Sequence, residues 1–212
     1  ATALRIATRL VNRIFKPSQQ ELTITPEKRA LQRRIAEVFG AMDMNALDDP
    51  VVFRAYEELV SEIAAQYDAM PIKVEVWKRK GEPYGGKKMS AAMRQDVLWN
   101  NHLYIYGTEV GTFGPPGVSY ENHPMLKDSG RVDISRTQQH PNGTPLLFND
   151  LLRAVHDYYA HTMSPVTFGP RGEEAAWRNH MLMTNNPWAR WALTSETRGQ
   201  NSFANFREGV EE

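Results

Sequence analysis

The sequence contains no cysteine, and this absence excludes three kinds of chemistry at once. The chain can form neither a disulfide framework nor a thiolate zinc site, and no cysteine nucleophile can carry a reaction. The redox compartment is left undecided by this absence. With 212 residues, the chain is long enough to bury a sizeable core that needs no such covalent or metal staple.

The sequence also lacks an excess of charge of either sign and a long apolar run. Lys+Arg and Asp+Glu both total 25, so no overall field directs the protein to nucleic acid or acidic membranes, and any such binding must be local. No segment approaches the roughly 18 apolar residues of a transmembrane helix. Hydrophobic residues make up 41% and charged residues 24%, values typical of a globular protein.

Local positive charge is concentrated in the N-terminal segment ATALRIATRLVNRIFKP. Helical spacing puts apolar and basic side chains on separate stripes, a pattern typical of a basic amphipathic helix: Leu4, Ala7, Leu10, Val11 and Ile14 on one, and Arg5, Arg9, Arg13 and Lys16 on the other. We expect residues 1–20 to form this helix and a link, and residues 21–212 to form a single globular domain. Through residues 5–16 the helix could dock on the domain or on a neighbouring subunit of an oligomer, or contact a membrane surface, nucleic acid or virion proteins.

Hydrophobic periodicity predicts an α+β fold that is mostly helical with a small β-sheet. Thr25 and Pro26 mark the start of a helix over 26–40, and Asp49-Pro50 starts a second one. Alternating residues predict two strands, at 72–77 and 102–107, with a short helix near 89–101 between them. A 3.6-residue period predicts the later helices, at 147–163, 172–184 and 187–195. The stretch 111–144, rich in Gly, Pro, Asn and Asp, is expected to be a long irregular loop that covers a polar pocket between the later helices.

Two histidines and an aspartate crowd the end of the helix predicted for 147–163, in the stretch LLRAVHDYYAH. On an α-helix His156 and His161 are five positions apart and miss the i, i+4 geometry of the HExxH zinc motif. Asp157 and His161 share one side of the helix, whereas His156 lies at the edge of the apolar face. The spacing therefore disfavours a classical zinc peptidase and offers an Asp-x-x-x-His pair suited to a hard or borderline cation.

Glu173 and His180 are seven residues apart, so they project along one stripe of the helix predicted for 172–184. Apolar residues on nearly every side of this helix indicate that it is covered all round, and the two polar groups would then need buried partners. Together with Asp157 and His161 they could form a four-ligand metal pocket. The same residues could equally be solvated ion pairs on helix surfaces.

The segment TSETRGQNSFANF adds a carboxylate and a guanidinium close to a single glycine. Arg198 could pair with a carboxylate or clamp a phosphate with two hydrogen bonds. Glu196 could be a further metal ligand or a general base.

Three segments resemble, in the same order, the signature of a largely uncharacterised family encoded by bacteriophages and prophages: FNDLLRAVHDYYAH, FGPRGEEAAWRNH and TSETRGQNSFANF. The family pattern is an HD-x-x-x-H helix, a GEE-x-x-W-x-x-H helix and a closing ETRGQNS segment, and the resemblance covers roughly residues 50–206. The pair Tyr159-Ala160 departs from the aromatic-glycine pair of the family. The resemblance implies that eight polar residues belong to one constellation: His156, Asp157, His161, Glu173, Glu174, His180, Glu196 and Arg198.

These features lead us to expect a metal-dependent enzyme, most simply a hydrolase in which a divalent ion such as Zn, Mn or Fe activates water. The ligands would come from His156, Asp157, His161, Glu173 and His180. The catalytic groups would come from Glu174, Glu196 and Arg198.

The substrate of such an enzyme could be nucleic acid, a nucleotide or a protein, and the phage resemblance implies the host cytoplasm or the virion as its location. Two other functions stay open. One is a virion structural or morphogenesis protein with a buried histidine network. The other is a metal-free nucleic-acid-modifying or nucleic-acid-binding protein that uses Arg198 and the basic loop 78–88 on phosphates.

Overall fold

The computed structural model describes residues 23–43, 46–85, 89–114 and 118–210. The helix and link predicted for residues 1–20 lie outside these ranges. Within them, none of the helices combines the length and the apolar character that a membrane-crossing segment needs.

The predicted α+β class with mostly helical content is confirmed. Two of the helical segments, here called π1 and π2, have the wider π-helical turn and directly continue an α-helix. In chain order the elements are α1 (Pro26–Ala41), α2 (Pro50–Asp68), β1 (Lys73–Trp77), α3 (Met89–Asn100), β2 (His102–Tyr106), β3 (Asp128–Val132), β4 (Pro145–Leu147), α4 (Phe148–Val155), π1 (His156–Thr162), α5 (Pro170–Met181), α6 (Pro187–Thr194), π2 (Ser195–Gly199) and α7 (Gln200–Phe206).

Side-chain caps fix the starts of the first two helices where the sequence predicted them. The hydroxyl of Thr25 accepts a hydrogen bond from the Lys28 amide, and a proline follows in the first turn of α1. The carboxylate of Asp49 accepts one from the Val51 amide at 2.8 Å at the start of α2. Each cap satisfies a backbone donor that has no partner inside the helix, which is why the chain turns helical at these points.

In the part of the chain that the structure describes, the strands form two separate two-stranded sheets rather than one. The predicted pair, β1 and β2, runs parallel in the register Lys73↔His102 to Trp77↔Tyr106. An antiparallel pair, β3 and β4, lies in and just after the stretch that was expected to be an irregular loop. Its register shifts between Asp128 and Arg131, where Gly130 has a φ of 72°, and such a bulge breaks the alternation by which strands are recognised.

One main core joins α2, α4, α6 and the parallel sheet. It is built from fully or almost fully buried aliphatic side chains, which include Leu59, Ile63, Val74, Leu103, Ile105, Leu151, Val155 and Leu193. A second contact packs α1 against α7 and π2, where the rings of Phe39 and Phe203 lie 5.8 Å apart. π1 contributes Tyr158 and Tyr159 to the main core, and α5 packs against π1, π2 and α7.

Gly172, at the start of α5, lies so close to the preceding turn that a Cβ atom there would come 1.8 Å from the carbonyl oxygen of Thr167. We expect Gly172→Ala to lower the free energy of unfolding by about 1–3 kcal/mol, because backbone atoms must move to relieve the overlap. Urea denaturation measures the change. Gly111→Ala is the matched control, since an added Cβ there meets nothing within 4 Å. An unchanged or raised unfolding midpoint for Gly172→Ala would contradict the close approach, because alanine otherwise favours a helix.

Candidate metal centre

The two histidines of the HDYYAH stretch converge because the helix that carries them changes its turn. α4 ends at Val155, and the chain continues as the π-helix π1, in which residues five apart face the same side. The rings of His156 and His161 therefore meet edge to face, with centroids 5.0 Å apart. The prediction that His156 turns aside from His161 is wrong, because it assumed a straight α-helix.

Glu173, in the first turn of α5, faces both imidazole rings. Its Oε1 lies 3.3 Å from Nε2 of His161, and its Oε2 lies 3.5 Å from Nε2 of His156. One possible ligand atom from each of the three residues lies within 4.8 Å of the other two. This cluster, His156, His161 and Glu173, could hold a metal ion.

His180 and Gln66 fix the orientation and the tautomer of His156. Nε2 of His180 lies 3.1 Å from Oε1 of Gln66, and because an amide oxygen only accepts, this nitrogen carries the proton. Nδ1 of a neutral His180 then accepts from Nδ1 of His156, at 3.2 Å. In its neutral form His156 therefore directs the lone pair of its Nε2 at the cluster, the arrangement that metal-binding histidines need.

The Nε2 atom of a neutral His161 also directs a lone pair at the cluster. Its Nδ1 lies 3.4 Å from the carbonyl oxygen of Val166 and can only donate there. Its Nε2 is buried without a hydrogen-bond partner among the described residues, and Glu173 reaches it only as an ion-pair contact. Two imidazole lone pairs and a carboxylate that face each other repel unless a cation lies between them, so a proton or a metal ion fits this position.

The pKa shifts of the cluster agree with a position that either a proton or a metal ion can occupy. Burial alone would raise the pKa of Glu173, but its contacts with His156 and His161 outweigh burial and hold the pKa well below its usual range. Burial alone would lower the pKa of His161, but Glu173 and Asp157 together raise it. For His180, burial followed by the charge of His156 lowers the pKa far below the usual value, which keeps this ring neutral.

Asp157 and His180, both predicted as ligands, do not belong to the three converging groups. His180 reaches the cluster through His156. Asp157 lines the adjoining cavity, and burial raises its pKa to about 6 although His161 and His156 act in the opposite direction. That either residue coordinates an ion directly stays a prediction.

Glu174 and Arg198, both predicted to be catalytic, pair with each other away from the cluster. The guanidinium makes two hydrogen bonds of 2.8 Å to the two carboxylate oxygens, and it lies 4.2 Å from the ring centre of Trp177. Gln32 donates to the same carboxylate at 2.8 Å, and Arg178 approaches it at 3.3 Å. This buried network ties α1, α5 and π2 together, and a catalytic role for its members stays a prediction.

Glu196, the third predicted catalytic residue, lines a cavity of about 720 Å³ together with His156, Asp157 and Glu173. Its carboxylate accepts hydrogen bonds from the Tyr56 hydroxyl at 2.5 Å and from the Gln200 amide at 2.7 Å. Burial raises its pKa although both hydrogen bonds lower it. The stretch 111–144, expected to cover the pocket, supplies part of the cavity wall through Phe113, Gly114, Tyr120 and His123.

Sequence reasoning missed Gln66 and Tyr56, because both lie in the strongly periodic helix α2. Gln66 is 6% exposed and follows Leu59 by seven positions and Ile63 by three, so it falls on the buried face of the helix. A glutamine on an apolar stripe needs a buried partner, and this was the available signal. Tyr56 carried no comparable signal, since a tyrosine is ordinary on a helix face that is partly buried.

Comparisons with protein-family models, with curated protein sequences and with solved structures found no match to this chain. The resemblance to the phage-encoded family therefore stays a prediction from the three sequence segments.

We expect the chain to bind one divalent ion and the three converging residues to carry most of the affinity. His161→Ala or Glu173→Ala should weaken binding by about 100-fold or more, whereas His180→Ala, which removes only an orienting partner, should weaken it by about 10- to 100-fold. Titration calorimetry with Zn²⁺ and Mn²⁺, together with elemental analysis of the purified protein, measures both. His140→Ala, in the turn between β3 and β4, is the control. Equal losses for His180→Ala and His161→Ala would instead make His180 a ligand.

Arg198→Ala should lower the free energy of unfolding by about 3 kcal/mol, because it leaves the carboxylate of Glu174 buried without its main partner. Metal affinity should fall much less than in His161→Ala, since neither residue touches the cluster and Arg198 acts on it only through the position of α5. Urea denaturation and calorimetry on the same samples report the two quantities. Substitution of an exposed arginine, Arg136→Ala, should change stability by less than about 0.5 kcal/mol. A fully stable Arg198→Ala protein would contradict the structural role.

Proposed function

We propose that this chain is a metal-dependent enzyme, most simply a hydrolase. The observation that carries the proposal is the meeting of His156, His161 and Glu173 beside a cavity that His156 and Glu173 line, and that is large enough for a small-molecule group or a side chain. Three protein ligands leave a coordination position open, whereas structural zinc sites are closed by four. Two histidines and a carboxylate also suit Mn and Fe(II), so the donor set alone does not select one metal.

The residues of the site would have separate roles that follow from their positions. A divalent cation held by the cluster would supply Lewis-acid polarisation and lower the pKa of water. His180 and Gln66 keep the His156 ring in the tautomer that binds. Glu196 lines the same cavity, and as a carboxylate it would accept a proton from the attacking water and return it to the leaving group.

The environment of Glu196 supports this assignment. Burial raises its pKa from the ordinary range of a carboxyl group towards the pH at which an acid–base catalyst works best. The hydroxyl of Tyr56 fixes the position of one carboxylate oxygen, and the Gln200 amide holds the other. A group held in this way loses little freedom when it acts, which favours catalysis.

One observation favours a purely structural protein as the second candidate. The network of Glu174, Arg198 and Gln32 uses two of the eight polar residues of the constellation for contacts between helices, as a virion or morphogenesis protein with a buried polar interior would. The metal-free nucleic-acid function has less support. Arg198 is engaged by Glu174, and the ammonium of Lys78 in the basic loop bonds the hydroxyls of Ser135 and Thr144. A phage origin and a place in the host cytoplasm or the virion remain predictions from the resemblance.

Hydrolysis tested on a panel of amide, ester and phosphoester substrates should be lost on chelation and restored by one divalent ion per chain. Glu196→Gln should lower kcat by about 10²- to 10⁴-fold while metal content is retained, because only the proton acceptor is removed. Glu121→Gln, at an exposed position, is the control. Turnover that survives both chelation and Glu196→Gln would exclude this mechanism, and a protein that binds no metal and turns over nothing would favour the structural role.

A further inference from the structure

The charge of the cavity bears on what it can admit. Among the described residues that line it, four carboxylates face one guanidinium: Asp43, Asp157, Glu173 and Glu196 against Arg153. The guanidinium is also engaged, because it donates to the carbonyl oxygen of Tyr106 at 2.9 Å. A divalent cation at the cluster would still leave one negative charge in excess when all four carboxylates are ionised, so the cavity repels polyanions and attracts cations.

The walls of the cavity are aromatic. Among the described residues, five phenyl or phenol rings line it: Phe39, Tyr56, Phe113, Tyr120 and Phe203. Phe113 and Tyr120 meet edge to face with centroids 5.3 Å apart, and Tyr56 meets the ring of His123 in the same way at 4.5 Å. The faces of such rings carry a partial negative charge, and they bind ammonium and guanidinium groups by cation–π attraction.

Two carboxylates act on the same aromatic group. Burial raises the pKa of Tyr120, and the negative charges of Asp43 and Glu196 raise it further, so both carboxylates lie within electrostatic reach of this ring. Glu196 also holds the Tyr56 hydroxyl. This part of the cavity therefore presents two carboxylates and two phenol rings together.

Two residues that line the cavity each have a polar atom without a hydrogen-bond partner among the described residues. The hydroxyl of Tyr120 and the side-chain nitrogen of Asn201 are buried without hydrogen bonds among the described residues, and the two side chains are 7% and 8% exposed. A phenol oxygen can accept from an ammonium or guanidinium N–H, and an amide nitrogen can donate to a carbonyl or hydroxyl oxygen. Unsatisfied groups of this kind are rare in folded proteins, and because both atoms are inaccessible to solvent a ligand would reach them only after a movement of the cavity wall.

We propose that the cavity takes a substrate with a compact organic cation, an ammonium or guanidinium group, which lies against Tyr56 and Tyr120 between Asp43 and Glu196. The basic side chain of a peptide has this chemistry, whereas nucleotides and nucleic acid carry the charge that the cavity repels. The inference rests on the proposed function only in placing the reacting bond at the cluster. The charge preference follows from the cavity itself.

Three small aromatic ligands of different charge test this preference: benzylamine, benzyl alcohol and phenyl phosphate. Binding to the full chain is measured by calorimetry or saturation-transfer NMR, once as purified and once after dialysis against EDTA. In both states benzylamine should bind about tenfold more tightly than benzyl alcohol, and added salt should weaken it. Asp43→Asn, at an exposed position, should weaken benzylamine binding by about two- to fivefold. The exposed Asp48→Asn, outside the cavity lining, should not.

Phenyl phosphate that binds more tightly than benzylamine in either state overturns the inference, as does benzylamine that binds no better than benzyl alcohol. Elemental analysis of the same samples separates the two proposals. If the protein as purified contains no metal and still prefers benzylamine, the proposed enzyme function is wrong and the cation preference is confirmed. If the protein contains metal and prefers phenyl phosphate, the cation preference is wrong and the proposed enzyme function still stands.

Discussion

The wide turn of π1 is the constraint on which the candidate centre depends. In an α-helix a step of five residues rotates a side chain by about 140° from its starting direction, so the rings of His156 and His161 would point apart. The π-turn brings them to a centroid distance of 5.0 Å, and Glu173 then needs only to approach from α5 to complete the cluster. π-turns are rare and occur often at functional sites, because they provide side-chain spacings that regular helices lack.

Two neighbouring carboxylates in α5 contact different groups. Glu173 faces the two imidazoles, and Glu174 faces Arg198, Arg178 and Gln32. Successive residues on a helix differ in direction by about 100°, so one turn can contribute to the cluster on one side and to a buried ion pair on the other. The ion pair fixes α5 against α1 and π2, and the position of Glu173 depends on where α5 lies. Stability and ligand geometry are therefore coupled through a single turn.

The sequence predicted much of the scaffold, since the scaffold follows from local signals. The N-caps Thr25 and Asp49, the alternation in β1 and β2 and the period of α2 are each readable over a few residues. The pair β3 and β4 was missed because the bulge at Gly130 breaks its alternation. The site residues were found by type and order along the chain. Which of them converge could not be found, because the π-turn that brings His156 to His161 leaves no pattern in the hydrophobic periodicity.

The donor set of the cluster has a consequence for the conditions in which it could work. Its three ligand groups are two imidazoles and one carboxylate, and the chain has no thiol that could be converted to sulfenic acid or trapped in a mixed disulfide. Oxidants that inactivate thiolate centres by the cysteine route have no target among these ligands. The affinity of such a centre for its ion would be set by pH and by competing chelators, and it would be indifferent to the thiol redox poise of its surroundings.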